Sequence, residues 1–172
     1  AMSQGIKVIA VDRGVNGVDV DCQIASDNVA GARMATEYLM ELVGEGAKVA
    51  ELQGVPGASA TIDRGEGFHQ VADKSLQVAA SQTANFNRAE GMTVMENFLQ
   101  RYDDIDGVAS VNKDMTMGAI EAVKDADRQD EMIQVTFDVD NDCLDAIDAG
   151  EILITGAQEE KSQIANCIYA CL

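Results

Sequence analysis

A chain of 172 residues with 47% hydrophobic side chains is long and apolar enough to bury one core, which excludes a disordered chain. Its net charge of −18, from 30 acidic against 12 basic side chains, repels phosphate backbones and argues against a nucleic-acid partner. No apolar run approaches the roughly 20 residues of a membrane span, and no secretory signal is visible, so no membrane insertion is expected.

Residues 6–11 are a short apolar run rich in β-branched side chains, predicting a strand that ends at Asp12-Arg13. Gly14 and Gly17 mark a loop, and Ser26-Asp27-Asn28 offers helix-capping chemistry. Apolar residues then recur at helical spacing over 29–43, and Gly44 and Gly46 stop that helix. A strand over 49–52 leads through the tight 54–60 connection, which holds the only proline, to a helix that Ser59 would cap. Strands follow at 76–80, 107–111, 132–137 and 152–154. Between them lie helical patterns at 88–102, 115–123 and 143–147, and a last helix begins after Glu159. About six strand–helix alternations predict an α/β fold: a parallel sheet covered by helices on both faces, three layers in all.

Ligands of open parallel sheets bind beyond the carboxyl ends of the strands. The residues expected there are Asp12, Arg13, Arg64, Phe86, Asn112, Phe137, Asp138 and Gln158. Carboxylates accept hydroxyl protons, guanidinium groups donate a planar fork of N–H bonds, and amides do both. An aromatic ring packs against a C–H face. That mixture suits vicinal diols, and together it reads as a polyol site. Taken singly, Asp12-Arg13 also reads as a surface ion pair, Arg64 as a side chain lying along its helix, and each phenylalanine as core.

Enzyme chemistry finds few tools. His69 is the only histidine, so no Ser–His or Cys–His arrangement is available. Phosphate-loop and nucleophile-elbow patterns are missing. Cys22, Cys143, Cys167 and Cys171 form no CxxC pair and are expected as small apolar side chains, with no metal and no cofactor.

The segments Val8-Ile9-Ala10-Val11-Asp12-Arg13, Ile24-Ala25-Ser26-Asp27-Asn28, Glu51-Leu52-Gln53-Gly54, Asp63-Arg64-Gly65-Glu66-Gly67-Phe68 and Phe137-Asp138 resemble the D-ribose-binding periplasmic receptors of ABC importers. The resemblance runs over nearly the whole chain. It implies the type I periplasmic binding protein fold, with two lobes that close on a pentose and then dock on permease subunits. It assigns sugar contacts to Asp12, Arg13, Arg64, Phe86, Asn112, Asp138 and Gln158, and makes Phe137 a ring lining the pocket. It further implies that residues 27–158 are the C-terminal sugar-binding lobe. Residues 1–26 would be a first strand and hinge approach belonging to a missing N-terminal lobe. Residues 159–172 would be hinge and truncated helix. The sequence departs from the family at Glu159-Glu160, where the family carries less charge. The implied location is the periplasm, or the cell exterior on a lipid anchor. The effector-binding core of a sugar-responsive repressor shares this fold and is the alternative; a helix-turn-helix upstream would mark it.

Overall fold

The structure, a computed structural model, describes residues 1–15 and 17–171. Leu172 and the side chain of Cys171 lie outside the described residues.

A short 3₁₀ turn at Met2–Gln4 precedes strand β1 (Ile9–Val11), and β2 (Cys22–Ile24) pairs with β1 in parallel as a separate two-stranded sheet. The chain then alternates: α1 (Asn28–Val43), β3 (Lys48–Gln53), α2 (Ser59–Ser75), β4 (Gln77–Thr83), α3 (Arg88–Arg101), β5 (Gly107–Ser110) and α4 (Lys113–Asp125). It continues through β6 (Ile133–Phe137), α5 (Asn141–Asp148), β7 (Ile154–Gly156) and α6 (Glu160–Cys171). The main sheet has five parallel strands in the order β4-β3-β5-β6-β7. The expected three-layer α/β architecture is present, with β2 as a strand the sequence pattern did not reveal.

The two faces follow from the period of two along each strand. On β3, Ala50 and Leu52 meet Met95 and Phe98 of α3 and Met115, Ala119 and Val123 of α4. Val49 points the other way, into a cluster with Leu39 of α1 and Phe68 and Ala72 of α2. A third cluster packs Ile120 of α4 on Cys143 and Ala146 of α5 and on Ile152. Cys143 is thus the buried small side chain expected, while Cys22 and Cys167 are half-buried free thiols.

Helix starts obey short polar caps: Asp27, Asn87, Asn112 and Asp140 each accept a backbone N–H from three residues on. Ser59 does not cap its helix. The cap position is Ala58, and the Ser59 hydroxyl accepts from the Gly14 N–H at 2.9 Å, tying the loop after β1 to the start of α2.

The strand order reverses direction at β3 and β5, so the chain leaves those neighbouring strands toward opposite faces. That reversal opens a crevice at their carboxyl ends, the edge where Arg64, Asn112 and Asp138 lie.

Candidate functional site

Asp12-Arg13 follow β1, Phe86 follows β4, Asn112 follows β5, Asp138 follows β6, and Gln158 follows β7. Arg64 reaches the same edge from the second turn of α2.

Arg64 is the hub. It is 3% exposed. Its Nε donates to Asn28 Oδ1 at 2.8 Å, and Nη1 donates to the Val111 carbonyl at 2.6 Å. Nη1 and Nη2 face the two oxygens of Asp138 at 3.3 and 3.4 Å. The guanidinium carbon lies 3.8 Å from the centre of the Phe137 ring. Burial pushes its pKa below the ordinary arginine value, while Asp138 and then Asp12 hold it up. A fork donor is therefore fixed on a carboxylate, an amide, a carbonyl and a ring at once.

Phe137 supports this arrangement from behind. Its ring is buried, and a β-carbon on Gly31 or Gly156 would stand 2.7 or 2.8 Å from it. Glycine at both positions lets the ring slide under Arg64. The ring is thus stacked beneath the guanidinium.

Asp138 also accepts from Gln158 Nε2 at 2.5 Å. The other end of the Gln158 amide accepts from Ser26 Oγ at 2.9 Å, and Gln163 Nε2 donates to Ser26 Oγ at 2.8 Å. Asp12, Asp138 and Gln158 share one open cleft of about 450 Å³, together with Lys113, Asp114, Glu160 and Gln163.

Asp12 and Arg13 form an exposed ion pair at 3.8 Å, and the Arg13 guanidinium lies 5.4 Å from the centre of the Phe86 ring. Three of these rim residues have left-handed backbone: Asp12 at φ 68°, Phe86 at 57° and Asp138 at 73°. Such a conformation turns the chain sharply out of the strand and costs non-glycine residues energy, most of all a bulky one such as Phe86.

Asn112 spends its carbonyl oxygen on the Met115 N–H as the cap of α4. Its neighbour Lys113 bonds Asp114 at 3.0 Å and Asp140 at 2.5 Å, bridging the starts of α4 and α5. The two carboxylates raise the Lys113 pKa, and Lys113 first, then the Cys143 N–H, lowers that of Asp140.

Sequence reasoning missed Asn28, Ser26, Gln163 and Lys113 as parts of this edge. Asn28 and Ser26 looked like capping residues, and nothing in a single sequence pairs Ser26 with residues 132 and 137 positions away. The sole histidine faces two carboxylates, Asp73 at 2.8 Å and Glu51 at 3.5 Å.

Residues 1–172 match the periplasmic binding protein domain family. The ribose import binding protein RbsB of Bacillus subtilis is 43% identical over 159 residues, 92% of this chain and 52% of that protein. The chain spans about half the length of the curated relatives it matches. Among solved structures, the periplasmic component of the arabinose ABC transporter from Shewanella sp. ANA-3, bound to L-arabinofuranose, superposes with a TM-score of 0.82 at 35% identity. That match covers 88% of this chain and 53% of the other. A Bacillus halodurans solute binding protein with bound myo-inositol gives 0.91 at 30% identity, over 99% of this chain and 59% of the other.

Proposed function

Because the chain belongs to the periplasmic binding protein domain family, and within it to the ribose-binding receptors, we propose that residues 27–158 form the sugar-binding C-terminal lobe of a two-lobed solute receptor. The ligand is a neutral pentose, D-ribose or a close relative, passed to the permease subunits of an ABC importer outside the cytoplasmic membrane. The receptor binds and releases; it carries out no chemistry. Residues 1–26 and 159–172 lead into the hinge and the opposite lobe.

The observation that carries this reading is the Arg64–Asp138–Gln158 cluster at the carboxyl edge of the sheet. Arg64 and Gln158 hold Asp138 as a fixed acceptor facing an open cleft, and a fixed charged acceptor is what a pair of sugar hydroxyls needs. Exposed Val11 on β1, Ile6 and Val18 in the segments flanking it, and Ile164, Ile168 and Tyr169 on α6 suit a surface covered by a second lobe.

Calorimetric titration of a two-lobed receptor carrying this chain tests the reading. D-ribose should bind, and Asp138→Ala should weaken it at least about tenfold, since a hydrogen bond to a charged group is worth roughly 1.5–3 kcal/mol. Equal affinity in Asp138→Ala and parent would remove Asp138 from the site.

A further inference from the structure

Building on the sugar-receptor reading, we propose that Ser26 and Gln163 are positioning residues for the sugar acceptor Asp138, acting through Gln158 along a one-way relay of hydrogen-bond donors. The relay runs from Gln163 Nε2 to Ser26 Oγ at 2.8 Å, from Ser26 Oγ to Gln158 Oε1 at 2.9 Å, and from Gln158 Nε2 to Asp138 Oδ1 at 2.5 Å.

Its direction follows from counting hydrogens. A hydroxyl has one hydrogen to give. Gln163 fills an acceptor site on Ser26, so the Ser26 hydrogen goes to Gln158 Oε1. That contact fixes which end of the Gln158 amide faces which way. The NH2 end must then point at Asp138, and the turned amide would set oxygen against carboxylate. Each donor strengthens the next, and the sequence ends on the charged group that needs it most. Gln163 itself is 8% exposed, and among the described residues of α6 it is the buried polar side chain. A buried amide on a largely exposed helix costs desolvation, and the relay gives that amide its partner.

Position adds the second part of the argument. Ser26 lies between β2 and α1, and Gln158 lies between β7 and α6. These are the two chain segments that join β1, β2 and α6 to the five-stranded sheet. The Ser26–Gln158 bond pins one segment to the other, and the pin terminates on the ligand acceptor. The setting of Asp138 therefore depends on how the two segments lie side by side.

The test uses Ser26→Thr and Ser26→Val in a two-lobed receptor carrying this chain. Threonine and valine have the same shape, but only threonine keeps the hydroxyl. Ser26→Thr should bind D-ribose within about twofold of the parent, whereas Ser26→Val should bind roughly five- to tenfold more weakly, the loss of about one hydrogen bond between neutral groups. Gln163→Met, which keeps length and packing, should weaken binding similarly. The double variant Ser26→Val/Gln163→Met should be no weaker than Ser26→Val alone, because both break one relay. A sugar-free readout accompanies these: the side-chain amide NMR signals of Gln158 should move in Ser26→Val and hold in Ser26→Thr. Equal affinity losses in the threonine and valine variants, or unmoved Gln158 signals in Ser26→Val, would overturn the relay. A parent that binds no neutral sugar while the Gln158 signals respond as expected would instead overturn the receptor reading on which the proposal rests.

Discussion

Replacing Arg64 by methionine should destabilise the chain by about 3–5 kcal/mol, the range found when one partner of a buried ion pair is removed. Methionine fills most of the vacated volume, so the cavity contribution is small. The loss comes from partners left behind. Asn28 Oδ1 and the Val111 carbonyl lose donors at 2.8 and 2.6 Å, each worth roughly 1–3 kcal/mol when buried and unpaired. Asp138 suffers less, because its side chain is 27% exposed and water can reach it. The guanidinium stacked at 3.8 Å on Phe137 adds a further stabilising contact that methionine only partly replaces. Opposing these losses, the cost of burying a cation disappears, which keeps the sum from growing further. For a chain of this size each 1 kcal/mol moves the melting temperature by about 2–4 °C, so a fall of roughly 6–20 °C is expected. Urea unfolding followed by far-ultraviolet circular dichroism is the assay of choice, since an ionic denaturant would screen the charges at issue. The midpoint should drop with the slope unchanged. A loss below about 1 kcal/mol would refute the description of Arg64 as the buried hub of this edge.

Phe98→Ala, 6% exposed within the α3–α4 core, should cost about 3–5 kcal/mol in urea unfolding and leave sugar affinity in the two-lobed receptor unchanged. The 172-residue chain by itself should bind D-ribose no tighter than roughly millimolar, because one wall leaves much of the ligand wet; a micromolar constant by calorimetry would contradict this. Asp140 has a lowered folded-state pKa, so its stabilisation is complete above the ordinary carboxylate range and is lost as pH falls through the folded value. Asp140→Asn keeps a capping side chain and should flatten that acid limb by less than about 1 kcal/mol, since Lys113 and Asp140 are both partly exposed. Identical acid unfolding curves for the two proteins would show that the pair contributes nothing.

Helices and central strands were legible because period and punctuation agreed. Residues 29–43 repeat apolar side chains at helical spacing between Asp27 and Gly44, and the helix occupies Asn28–Val43. Strand β2 was not legible: Cys22–Ile24 is three residues long, too short for alternation to register, and it exists by pairing with β1. The last strand begins at Ile154 and not at residue 152, because Ile152 is drawn into the α4–α5 cluster. At the edge of the sheet, residue types announced themselves but orientation did not. Phe137 and Asp138 are neighbours in sequence, and one lies in the core beneath Arg64 while the other borders the cleft, at a turn where φ is 73°. Ser26 read only as capping chemistry and Gln163 carried no signal, since their pairing is a contact made across 137 positions.

On the sugar-receptor proposal, the left-handed backbone at Asp12, Phe86 and Asp138 places local strain at three positions of the binding edge. Glycine would relax each turn, but at Asp138 it would leave buried Arg64 without its carboxylate, and at Phe86 it would strip a ring packed on the core. The strain of these turns is therefore tied to the side chains that sit on them, and relaxing one removes the other.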